Sequence, residues 1–175
     1  FGIAGLLAVS LLAPIGFGIA QEAPEPDIGH ATVTIRHGTE IIWSGEATFP
    51  LSDATTTISS TSGEAVSVPE KSLLATLVSL DAAEEEFSIS DLSYFSSFDS
   101  FLINCITASA ISSEPQCNNW QYVVNNTYPQ VGTDDYLLND GDTVFLYFGS
   151  PRRFSVDPDE TVPTVPANVL VEEYD

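Results

Sequence analysis

Apolar and polar residues alternate through ATVTIRHGTEIIWSGEATF, residues 31–49, on both sides of His37-Gly38-Thr39. A period of two marks strands with one buried face, and a short polar break between two such runs predicts a hairpin or two consecutive strands. The period changes near residue 70. Leu73, Leu74, Leu77, Val78 and Leu80 recur at helical spacing, so a helix is expected to start at Ser72 or Pro69 and to end between Asp81 and Glu86. Glu84-Glu85-Glu86 then reads as a solvated face. Trp120–Val124 and Thr143–Phe148 predict two further strands, whereas the Ser/Thr-rich residues 52–64 predict a flexible surface loop. Phe87, Tyr94, Phe95, Phe98 and Phe101 form a dense aromatic stripe that reads as core. Its serine-rich setting leaves a ligand platform as the alternative.

Residues 1–20, FGIAGLLAVSLLAPIGFGIA, carry no charge and run into the Pro-rich acidic linker of residues 21–30. One reading is a secretory apolar region with a small-x-small cleavage site before Gln21. In the other, the segment weakly resembles the N-terminus of a mature type IV pilin and is retained as an assembly segment. Phe1, Leu6, Leu7, Val9, Leu11 and Leu12 would then be its buried face, in a membrane or against other copies of the chain. Gly5 and Pro14 depart from the pilin pattern. Both readings place the protein at the cell surface or outside the cell, and the absence of Met is what is expected of a chain either processed at its N-terminus or excised from a longer gene product. At the other end, residues 155–175 predict a Pro-spaced tail or the start of a further strand.

Charge narrows the partners. Four Lys+Arg stand against 25 Asp+Glu, a formal net charge of -21, which repels phosphate backbones and excludes nucleic acid. Other surface proteins or copies of the chain itself are the expected partners. Cys105 and Cys117 lie 12 positions apart, the second just ahead of the strand Trp120–Val124. Two strands joined by a loop of that length would bring them together, so a stapling disulfide is expected in an exported chain.

No catalytic constellation emerges. His30 falls in the linker and His37 in a turn, and there is no phosphate-binding loop and no H-E-x-x-H. The acidic stretch Asn139-Asp140-Gly141-Asp142 lies between two apolar runs, where a turn is needed. It lacks the alternating oxygen ligands and distal Glu of a calcium loop, so it is expected to be structural and no metal is expected. Asn125-Asn126-Thr127 matches a glycosylation sequon and equally reads as a hairpin turn.

The order VTIRHG, SLLATL, an aromatic segment, WQYVVNN and YLLNDGDTVFLYF resembles the transcobalamin-like C-terminal domain family over residues 31–148. Its hallmarks here are Trp120, Tyr122 and Asn125, then Leu138, Asp140, Gly141, Asp142 and Tyr147. The resemblance implies an α+β fold, a β-grasp-like mixed sheet with one packed helix, over residues 31–154. It implies a non-enzymatic surface module with a structural, adhesive or ligand-binding role. Cobalamin or another small ligand is the binding alternative, because in the animal proteins the domain helps enclose cobalamin. Asn126, where the family often has Gly, and the CITASAISSEPQC insertion depart from the pattern.

Overall fold

The computed structural model describes residues 27–149 and the backbone of residues 152–156 and 169–173. The apolar segment 1–20 and its residues Phe1, Leu6, Leu7, Val9, Leu11 and Leu12 lie outside the described residues, as does most of the linker.

The expected hairpin is formed by β1 (Ile28–His37) and β2 (Glu40–Pro50), turning at Gly38 with φ 58°. Strand β1 begins within the stretch that reads as linker, because Ile28 and Gly29 pair with Pro50 and Phe49. Ala31, Val33 and Ile35 are buried and the threonines between them face away, as a two-residue period requires. Strand β1 also pairs in parallel with β9 (Asp142–Phe148), Ala31 facing Asp142 and Ile35 facing Leu146. Strand β8 (Trp120–Val124) adds antiparallel to β9, giving a four-stranded mixed sheet in the order β2-β1-β9-β8.

The helix, α1 (Leu73–Ala83), begins where its spacing predicts. Ser72 is the N-cap, its Oγ accepting from the Ala75 N–H at 3.2 Å. Two more N–H groups of its first turn, which have no partner within the helix, donate to a loop: Leu73 to Tyr136 O and Leu74 to Thr133 O, both at 2.8 Å. Leu73, Leu74, Leu77 and Leu80 are buried in the same core as Val33, Ile35, Val144 and Leu146, so the helix packs on the mixed sheet. Each such side chain stabilises the fold by about 1.5–3 kcal/mol through burial. The architecture is a mixed α+β fold, mostly strand.

A second sheet packs on the same core: β5 (Ser88–Phe95), β6 (Ser100–Ala108) and β7 (Ser112–Cys117), antiparallel in that order. Cys105 and Cys117 face each other across β6 and β7 and are bonded (S–S 2.04 Å), as the spacing led us to expect. The described backbone near the C-terminus forms a separate pair, β10 (Arg152–Val156) with β11 (Val169–Glu173).

Two expectations are corrected. Residues 52–64 contain a strand, β3 (Thr55–Ser59), which pairs with β4 (Ala65–Pro69) through a turn at Gly63. Threonine suits an extended backbone as well as a loop, and burying Ile58 under the ladder decides between them. The aromatic stripe is only half core. Phe87 and Phe101 are buried, but Phe95 is 45% exposed and Phe98 79%. Phe95 pairs with Ser100 and shares the outer face of β5 and β6 with Ser93 and Leu102, while Phe98 sits in the turn that Asp99 closes at φ 51°.

Candidate functional site

The acidic stretch between β8 and β9 folds into a clasp. Gly141 adopts φ 84°, which an L side chain rarely takes, so the chain reverses there. Asp142, 4% exposed, uses both carboxylate oxygens: Oδ2 accepts from the Asn139 N–H at 2.9 Å and Oδ1 from Asn125 Nδ2 at 2.7 Å. Asn125 Oδ1 in turn accepts from the Thr143 N–H at 2.9 Å. The turn docks on the start of β1, where the His30 N–H donates to Asp140 Oδ1 and the Gly141 N–H to His30 O. Asn125 and Asn126 both have positive φ (49° and 61°), with Val124 and Thr127 exchanging backbone hydrogen bonds around them. This is a tight turn of the type that fits strand twist. Among the described residues no group of three or more His, Cys, Asp or Glu could hold a metal ion.

The other residues singled out in the sequence pack along β8, β9 and the loop that joins them. Trp120 is 8% exposed, donates from Nε1 to Gln116 O at 2.7 Å, and meets Phe148 edge-on at 5.4 Å. The Gln116 contact joins β8 to the strand carrying Cys117. Phe148 also stacks on His37 at 4.7 Å. Tyr122 donates its hydroxyl to Val131 O at 2.7 Å, and burial pushes its phenol well above the ordinary range. Tyr147 is 1% exposed, and burial pushes its pKa up to about 12. Leu138 is buried at 2%, its N–H donating to Lys71 O just before the helix.

A second buried carboxylate was not visible in the sequence. Asp134, 5% exposed, accepts from Ser100 Oγ at 2.9 Å and from the Phe101 N–H at 3.0 Å, tying the long loop before β9 to β6. Its partners lie more than thirty positions away, and no local pattern marks them.

A concavity lies elsewhere among the described residues. A groove of about 590 Å³ runs between Thr56–Thr61 on one wall and Ile89 and Leu92 on the other, with Ala75, Val78 and Ala82 of α1 contributing its apolar lining. Glu70 and Asp81 are its charged residues, and among the described residues no Lys or Arg lines it. Volumes of this order hold small molecules or short peptide segments. Sequence reading missed it because three separated elements build it, one of them the strand that composition disguised as a loop.

Residues 76–150, from within α1 to just past β9, match a family model described as a domain of unknown function, DUF4430. No curated protein matches the chain. The match therefore covers the second sheet, the disulfide and the clasp, and it assigns no activity.

Proposed function

We propose that the chain is a non-enzymatic, exported cell-surface module with a structural, adhesive or ligand-binding role. The observation that carries this reading is how the chemistry-bearing residues are used. Both buried carboxylates, Asp134 and Asp142, have each oxygen engaged in tying loops to strands, and both cysteines are joined. A carboxylate whose oxygens hold backbone and amide N–H groups is poorly placed to act as a general acid or base. A disulfide of this kind persists in oxidising compartments and not in a reducing cytosol.

A transcobalamin-like, β-grasp-like identity is the finer form of the proposal. The parallel pairing of the first strand with the last strand of the mixed sheet, the helix packed across it and the DUF4430 match over residues 76–150 support it. So does the placing of Trp120, Tyr122, Asn125, Leu138, Asp140, Gly141, Asp142 and Tyr147 along β8, β9 and the loop that joins them. The expected partners are other surface proteins or copies of the chain.

The test is accessibility on intact cells of the source organism. Antibody against residues 27–149 should bind unpermeabilised cells or the culture medium, and external protease should remove the signal without lysis. Protection until the cytoplasm is opened would sink the proposal.

A further inference from the structure

We propose that the groove between β3 and β5 captures an extended, cationic peptide segment by strand addition. This deepens the binding-module reading above and rests on it.

The backbone makes the case first. Among the described residues, strand β3 is paired on one edge only, with β4. The Ser60 N–H donates to Glu64 O, toward the β4 side, so alternation turns the backbone groups of Thr57, Ser59 and Thr61 the other way. At Thr61 that outward edge is used: its N–H donates to Leu92 O at 2.8 Å, and its Oγ1 accepts from the Leu92 N–H at 2.8 Å. Behind this junction β3 and β5 share the groove's lining but form no ladder. The outward N–H and C=O groups of Thr57 and Ser59 therefore border a groove instead of a neighbouring strand. Thr55–Ser59 also carries none of the devices that usually protect an edge: no Pro, no Lys and no register shift.

The side chains say what would fit. A strand added along β3 would turn alternate side chains toward Ala75, Val78 and Ala82, which suits small or β-branched apolar residues. Its backbone would be matched over the five residues of β3, or roughly 17 Å at the usual rise. Glu70 and Asp81 are the charged residues of the lining, the neighbouring Lys71 is engaged by Asp53 at 2.6 Å, and the chain carries a net charge of -21, which together select a positively charged segment. Asp81 is partly committed, its Oδ1 accepting from the Ile89 N–H at 3.2 Å, so Glu70 is the freer of the two carboxylates.

The probe is an acetylated and amidated hexapeptide alternating Lys and Val, titrated into the isotope-labelled full chain and followed by backbone amide NMR. Comparators are the Glu/Val hexapeptide and a Lys/Val hexapeptide N-methylated along one edge. Saturable shifts should centre on Thr57, Ser59, Val78 and Ile89, with amide exchange slowed at Thr57 and Ser59. The Glu/Val and N-methylated peptides should fail to saturate. Glu70→Lys should weaken binding roughly threefold or more, the loss expected for an exposed ion pair. Ala82→Tyr, a change at an exposed helix position, should abolish binding while leaving the rest of the spectrum in place. The idea is overturned by non-saturable shifts, by equal binding of the Glu/Val or N-methylated peptide, or by shifts centred on Phe95 and Phe98. Such a result leaves the surface-module reading standing, since intact-cell accessibility is measured independently of any ligand.

Discussion

Replacing Asp142 by Ala removes two hydrogen bonds at once, those from Asn125 Nδ2 and the Asn139 N–H at 2.7 and 2.9 Å. Bonds to a charged acceptor are worth about 1.5–3 kcal/mol each. Asn125 and Asn139 are exposed residues, so water can re-solvate part of what the carboxylate leaves, which puts the loss near the lower end, about 3 kcal/mol for the pair. For a domain of about 120 residues, each kcal/mol moves the melting midpoint by about 4 °C, so Asp142→Ala should melt about 12 °C below the wild type. The assay is thermal unfolding of both proteins by circular dichroism, each with excess calcium and with EDTA. A calcium site would raise the wild-type midpoint in proportion to the logarithm of free calcium, because the ion would bind only the folded state. The clasp requires a large drop in the variant and no calcium response in either protein. A loss below about 0.5 kcal/mol, the range of ordinary surface substitutions, would refute the structural role. So would a calcium-dependent rise that the variant abolishes.

Three further outcomes are expected. Reducing the Cys105–Cys117 bond should lower stability by about 3 kcal/mol, the chain-entropy value for a loop this short; thiol reagents that modify both cysteines of the native protein without reductant would contradict the bond. Trp120→Ala should cost about 3–5 kcal/mol in chemical denaturation, since the ring is 8% exposed and loses both Phe148 and the Gln116 carbonyl; a loss under about 0.5 kcal/mol would place it outside the core. Tyr147 holds its proton up to about 12 when folded but releases it near the ordinary value of 10.0 when unfolded. Its contribution is therefore complete below pH 10 and lost as the pH rises from 10 to 12, so the urea midpoint should fall across that window. A midpoint that stays flat there would show that burial does not raise this phenol.

Features set by neighbouring residues were legible in the sequence. The leucine spacing after Ser72 marks the helix, the break at Gly38 marks the hairpin, and Asp140-Gly141 marks a reversal, because each needs only adjacent side chains to specify it. The disulfide was legible for a related reason: a short loop between two strands leaves few geometries for its ends. What the sequence hid depends on distance. Asn125 and Asp142 are separate turn residues until the fold brings them within hydrogen-bonding reach. Asp134 looks like any loop aspartate until Phe101 arrives beside it. The exposure of Phe95 and Phe98 follows from the register of β5 on β6, which an aromatic count does not contain. The groove needed β3, and β3 hid behind a composition of Ser and Thr that serves strands and loops alike.

Export and disulfide formation can be read together from the redox state and location of the protein in its own cells. Cells are quenched in acid, free thiols are alkylated under denaturing conditions, and the peptides carrying Cys105 and Cys117 are measured by mass in cytoplasmic and external fractions. An exported module should be recovered outside the cytoplasm with both cysteines unmodified by the alkylating reagent and joined to each other. Recovery in the cytoplasmic fraction with both thiols alkylated would contradict the account.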